Sequence, residues 1–111
     1  MMTTLHTSSQ LDEAIEQSHE HPIVLYKHSA TCPFAARAQE QVAEAKHDVE
    51  AYVVVVQYAK ELSQDIAART GVEHASPQAI VLVDGKPVWS GWRSEIQRDK
   101  LVELAGVPTA S

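Results

Sequence analysis

Lys27-His28-Ser29-Ala30-Thr31-Cys32-Pro33-Phe34-Ala35 joins an apolar run, Ile23-Val24-Leu25-Tyr26, to a segment with helical spacing. The run, Ile23 to Lys27, reads as a short buried strand. Pro33 stands where proline is tolerated, in the first turn of a helix. Ala35, Ala38, Val42 and Ala45 recur at i, i+3, i+7 and i+10, so the predicted helix runs to about Lys46. Cys32 then falls at the N-cap or first position. Unpaired backbone N–H groups and the positive end of the helix dipole face a sulfur placed there, and favour its thiolate, the nucleophilic form. An isolated cysteine can also pack as a small hydrophobe. The order strand, turn, Cys-Pro, helix points to the reactive thiol.

The elements on either side extend this unit. Upstream, Leu11, Ala14, Ile15 and Ser18 mark a helix from about Ser9 to His19, with Ser8 or Ser9 as candidate N-cap, ended by Pro22. Downstream, Ala51 to Gln57 contains four consecutive valines. An apolar run without alternation suits a strand buried on both faces, as in a parallel sheet. Leu62, Ile66 and Arg69 line a helix closed by Gly71. Ser76-Pro77-Gln78 leads into strand Ala79 to Val83. Asp84-Gly85 is a hairpin turn, returning through Lys86 to Trp89 with Pro87 marking an edge. Ser94-x-x-Gln97 has the form of a capping box before a last helix that reaches Gly106. The sum is an α/β chain, a thioredoxin-like fold with about four strands in a mixed sheet flanked by helices. One domain spans 1–111, with 1–7 and 107–111 expected to be flexible.

Composition excludes several functions. The chain has 111 residues, 44% of them hydrophobic, and a formal net charge of -6. No basic block exists to neutralise phosphates, so nucleic acid is not an expected partner. The longest apolar runs are too short to cross a bilayer, so neither is a membrane. Met1 to Gln10 lacks the pattern of a secretory signal. One cysteine cannot make an internal disulfide, and a free thiol suits a reducing cytoplasm. Cys32-x4-Arg37 is one residue short of the Cys-x5-Arg anion loop of phosphatase-like enzymes. His6, His19, His21 and His47 read as surface residues, and no metal site is completed by spacing.

The strings Lys27 to Pro33 and Gly71-Val72-Glu73-His74-Ala75-Ser76-Pro77-Gln78 together resemble the monothiol bacilliredoxin (YtxJ-like) family of thioredoxin-like proteins. The resemblance covers nearly the whole chain. It implies a cytoplasmic redox protein that removes bacillithiol from mixed disulfides, with Cys32 as the catalytic residue and Thr31, Pro33, Ser76 and Pro77 in support. Bacillithiol would be the thiol co-substrate, with no bound cofactor. The partners would be S-thiolated client proteins, a low-molecular-weight thiol and, for regeneration, either such a thiol or another redoxin. The resemblance also implies a cis bond before Pro77, so that the Ser76 backbone can pair with the cysteinyl part of a thiol. Two departures stand out: Ala35 where the family carries serine, and Ser90-Gly91-Trp92-Arg93 where a Ser-His pair is expected nearby.

Ala35 also occupies the position of the resolving thiol in Cys-x-x-Cys enzymes, so Cys32 cannot complete an internal dithiol cycle. Lys27 either supports the thiolate, binds a substrate carboxylate or is a solvated strand-end lysine. Arg37 is a candidate anion contact or a solvated helix arginine. His74 is a candidate substrate contact or a loop brace, and His28 is a weaker candidate for a Cys–His pair. Two other functions remain open on the sequence. One is a glutaredoxin-like protein using glutathione or an iron-sulfur cluster, and the other a non-catalytic thioredoxin-fold binding module.

Overall fold

The computed structural model describes residues 2–106. Its elements run β1 (Met2–Thr4), α1 (Ser8–Gln17), β2 (Ile23–His28), α2 (Pro33–Ala45), β3 (Ala51–Val55), α3 (Lys60–Thr70), β4 (Gln78–Val83), β5 (Lys86–Trp92), a 3-10 turn (Arg93–Glu95) and α4 (Arg98–Ala105). The strands form one sheet in the order β1-β3-β2-β4-β5. β3 is parallel to both β1 and β2, whereas β4 is antiparallel to β2 and to β5.

Strand alternation divides the apolar runs between two cores. Val24 and Tyr26 of β2 face α2 and α4, packing with Val42, Val81 and Leu101. Ile23 and Leu25 face the other way, with Leu11, Leu62, Ile66 and Leu82 under α1 and α3. The valine run of β3 splits likewise: Val54 joins the α1/α3 core, and Val53 packs against the α2/α4 core. Helices thus cover both faces of the parallel strands, as the run without alternation requires.

The sheet has a fifth strand, β1, within the first seven residues, where the sequence shows no strand pattern. Met2–Thr4 pairs with Ala51, Tyr52 and Val53, and Leu5 N–H donates to Val53 O at 2.8 Å. Leu5 inserts its side chain into the α1/α3 core at 2% exposure. That burial anchors a strand too short to show a pattern of its own. The segment 107–111 lies outside the described residues.

Local chemistry moves two helix starts. The N-cap of α1 is Thr7, not Ser8 or Ser9. Gln10 N–H donates to Thr7 Oγ1, and the N–H groups of Thr7 and His6 donate to Gln10 Oε1. This reciprocal box forms three residues apart, as its geometry requires. At the other end, Ser94 does not cap α4. It lies in the 3-10 turn, and Gln97 is the N-cap. Arg98 N–H instead donates across to Gln41 Oε1 of α2 at 2.8 Å.

The hairpin forms at Asp84 and Gly85, which adopt φ of +51° and +75°. Left-handed backbone at both central positions matches the twist of the joined strands. Ser18 at the end of α1 holds the turn, its carbonyl accepting from Asp84 N–H and its hydroxyl from Gly85 N–H. β5 runs on to Trp92, three residues further than its sequence pattern indicates. Its pairing with β4 shifts register between Val81 and Leu82, opposite Pro87 and the exposed Val88. Proline on an edge strand beside such an irregularity removes no ladder bond that the sheet needs. Trp89 packs on the core and Trp92 is exposed. His21 is half-buried rather than on the surface, its Nε2 2.9 Å from Glu50 Oε2.

Thr7→Ala removes the side-chain half of the α1 box and is expected to lower stability by about 1 kcal/mol, with Thr7→Ser retaining most of it. Urea denaturation checks this, and an unchanged midpoint in Thr7→Ala contradicts it.

Candidate active site

Four residues carry the chain from the end of β2 to the start of α2. Cys32 is the N-cap of α2, with φ -90° and ψ 128°, and Pro33 is the first helical residue. Cys32 N–H donates to Ser29 O at 3.4 Å, and Cys32 O accepts from Ala35 N–H at 3.0 Å. The Cys32 side chain makes no capping hydrogen bond, and the residue is partly exposed. Ala35 is buried at 2% exposure, so no second thiol faces Cys32 from the helix. Cys32 is the chain's only cysteine.

A residue that the sequence pattern did not single out holds this turn. Gln57, just beyond β3, accepts from Ala30 N–H at 3.2 Å. Its amide donates to Ser29 Oγ at 3.0 Å and to Thr31 Oγ1 at 3.3 Å. Three bonds from one side chain fix the loop that delivers Cys32. The sequence placed Gln57 at the end of a strand, and nothing local marks its reach across to residues 26 to 28 positions earlier.

Beneath the turn, Tyr26 Oη lies 2.9 Å from His28 Nδ1 and 3.4 Å from Ala35 O. Burial, and then negative charge at Cys32, push the Tyr26 phenol above its ordinary range. The Tyr26 hydroxyl thus stays protonated under the cysteine turn. His28 is bonded to Tyr26, and burial lowers its pKa. No hydrogen bond pairs it with Cys32 among the described residues.

The second wall is the loop before β4. Ser76-Pro77 is a cis peptide, as the resemblance implied, and Pro77 is buried. Ser76 O accepts from Trp92 Nε1 at 3.4 Å, and Pro77 O accepts from Arg93 N–H at 3.1 Å. These bonds tie the end of β5 to the proline loop. The Arg93 guanidinium carbon lies 4.6 Å from the centroid of Phe34 and 4.1 Å from that of Trp92. Phe34, two residues past Cys32, is thereby linked to the proline wall.

Lys27 is neither solvated nor open to a ligand, for it is fully buried. It points to the face opposite Tyr26, and its Nζ lies 3.2 Å from His74 Nδ1. Ser63 Oγ is 3.1 Å from the same nitrogen. Lys27 and His74 therefore join β2, α3 and the proline loop. Burial lowers the Lys27 ammonium from 10.5 to about 8. Burial first, and then the Lys27 charge, lower His74. His74 is exposed and borders a cavity of about 200 Å³ with Val56, Lys60, Ser63 and Gln64. Arg37 is exposed one turn beyond Cys32, on a groove of about 430 Å³ shared with Gln41, Ser94, Ile96 and Gln97. Among the described residues no group of three His, Cys, Asp or Glu could hold a metal ion, and no helix is long and apolar enough to cross a membrane.

A parallel βα unit that ends on Cys-Pro, opposite a cis-proline loop, defines a thioredoxin-fold thiol redox protein. A protein described, provisionally, as an oxidoreductase with a thioredoxin fold superposes with a TM-score of 0.83 at 32% identity, over 93% of this chain and 92% of its own. Fasciola hepatica thioredoxin follows at 0.72 and 25% identity, over 92% and 94%. Schistosoma mansoni thioredoxin, at 0.74 and 17% identity over 93% and 97%, shares the fold. Residues 3–101 match the family of monothiol bacilliredoxin BrxC, and the chain belongs to that family.

The buried lysine has a stability signature. Its folded pKa of about 8 lies below the 10.5 of an unperturbed lysine. Between those values the unfolded chain binds the proton that the folded chain has released, so this contribution to stability rises with pH. Urea midpoints of wild type minus those of Lys27→Met are expected to climb from pH 7.5 to pH 9.5. Parallel profiles for the two proteins contradict a buried, destabilised ammonium.

Proposed function

We propose that this protein removes bacillithiol from mixed disulfides on client proteins, acting as a monothiol exchanger through Cys32. The observation that carries the reading is the site's stoichiometry within this family: one partly exposed cysteine at the α2 N-cap, with buried Ala35 where a resolving thiol would stand.

The exchange needs no external oxidant. The Cys32 thiolate attacks the bacillithiol sulfur of the mixed disulfide. A Cys32–bacillithiol disulfide forms, the client–bacillithiol bond breaks, and the client leaves as a thiolate that takes a proton from water. Cys32 is oxidised to the adduct as the client sulfur is reduced. A second low-molecular-weight thiol, or another redoxin, then attacks the adduct and returns Cys32 to the thiol. Both the free Cys32 and its dependence on an external thiol fit a reducing cytoplasm.

The chain's own groups support the step by position. Gln57 holds the turn that carries the sulfur, and Cys32 sits at the N-terminus of α2, where the helix dipole is positive. The Tyr26 hydroxyl stays protonated beneath the turn, bonded to His28 and to Ala35 O. Lys27, buried against His74, acts as a brace for the proline loop and not as a contact for the substrate.

Intact-mass spectrometry of the reduced protein mixed with a bacillithiolated client tests the reading, with a glutathionylated client in parallel. Bacillithiol is expected on Cys32 with the client freed, at a rate at least about tenfold above the glutathione reaction, and Cys32→Ser should form no adduct. Transfer from the glutathione client alone moves the assignment to a glutaredoxin-like protein. No adduct from either client, with folded protein and a free thiol, leaves a binding module.

A further inference from the structure

Of the four arginines in the chain, Arg69 and Arg98 pair with acids: Arg69 with Asp12 and Asp65, Arg98 with Asp48 and Asp99. Arg37 and Arg93 make no ion pair among the described residues, and both lie beside Phe34. Phe34, Arg37 and Gln41 fall at i, i+3 and i+7 on one face of α2. Two unpaired guanidinium groups thus flank the cysteine turn of a protein whose formal net charge is -6.

The contacts that hold Arg93 leave its Nε without a hydrogen-bond partner. Its φ is +55°, a left-handed value that residues other than glycine seldom adopt. Its N–H is bonded to Pro77 O. Its guanidinium lies over Phe34 and Trp92, and its Nε is buried with no partner. Aromatic rings satisfy the cation through its face and leave the in-plane N–H donors unspent. The nearby carboxylate of Glu95 accepts from Trp92 N–H at 2.8 Å. It holds the backbone of the turn, and no ion pair joins it to Arg93 among the described residues.

We propose that Arg93, with Arg37 beyond it, binds a carboxylate on the small thiol carried by the mixed disulfide, and so selects anionic small thiols over neutral and cationic ones. The proposal rests on the exchange reading above and names the feature of the thiol that the site recognises. A guanidinium fork matches a carboxylate through paired hydrogen bonds, which an ammonium or hydroxyl on the thiol cannot accept in the same way. The α2 groove past Arg37 gives the remainder of such a thiol somewhere to lie.

The test uses one single-cysteine client carrying 3-mercaptopropionate, 2-mercaptoethanol or cysteamine as its mixed disulfide. Each rate of transfer to Cys32 is divided by the rate with dithiothreitol, which removes intrinsic reactivity. Wild type should prefer the carboxylate probe. Arg93→Gln should slow that probe about tenfold and change the hydroxyl probe by less than about twofold, the loss expected of one charge-assisted pair. Arg93→Lys should recover part of the preference, and added salt should compress it. Arg37→Gln, on an exposed helix face, should weaken the preference without disturbing the 3-10 turn. Equal slowing of all three probes by Arg93→Gln, or unchanged preference in both glutamine variants, overturns the proposal. No transfer from any probe to a free Cys32 in wild type defeats the exchange reading, and this inference with it.

Discussion

β2 is enclosed on every side, and the rest of the molecule is arranged around that fact. β3 and β4 pair with its two edges, and Ile23 through Lys27 are at most 1% exposed. A strand so placed must be apolar or must supply partners for each polar atom it carries. Its last three residues are polar, and each has a partner. The Tyr26 hydroxyl meets His28 under one face, and the Lys27 ammonium meets His74 under the other. The strand then leaves the sheet and delivers Cys32 to the edge within four residues. Reactive group and polar braces are consequences of one buried strand reaching its end.

The cysteine turn is also where distant segments converge. Gln57 approaches from the β3 side, the Ser76-Pro77 loop from the β4 side, and Trp92-Arg93 from the end of β5. These are loops at the ends of adjacent strands, where an α/β sheet commonly presents its binding groups. The absence of a second thiol at Ala35 gives the arrangement its chemical character. A dithiol site can discharge its own adduct, whereas a site with a single thiol, on the proposed reading, keeps it until another thiol arrives. On that reading, selectivity for the adduct would depend on what surrounds the sulfur, where Phe34, Trp92 and Arg93 are in contact.

Much of this was legible in the residues. Ile23 to Tyr26 and the valine run had the composition of buried strands, Pro33 fixed the start of α2, and Asp84-Gly85 announced its turn. Each is a short-range preference of backbone or solvent, and tertiary structure left it intact. The order strand, turn, Cys-Pro, helix pointed to Cys32, and the family strings to the cis bond at Pro77. What stayed hidden was long-range. Lys27 read as a strand-end cation because its partner is 47 positions away. Gln57 had no local signature. Met2–Thr4 is three residues long and becomes a strand only because β3 offers it an edge. Ser94-x-x-Gln97 carried a capping pattern, but the left-handed Arg93 diverts the chain into a 3-10 turn first. Arg93 itself entered the sequence reading as a departure from the family, and its position against Phe34 exists only once β5 has been extended to Trp92.

On the proposed reading, Cys32 carries its thiol adduct in a site walled by residues 76–77 and 92–93. The most direct measurement is the amide ¹H–¹⁵N NMR spectrum before and after one small carboxylate-bearing thiol is attached to Cys32 as a disulfide. Beyond the cysteine turn itself, the largest changes are expected at Ser76, Gln78, Trp92 and Arg93. Changes that bypass those residues and gather instead around Ser63, Gln64 and His74, on the opposite face of the sheet, would contradict that reading.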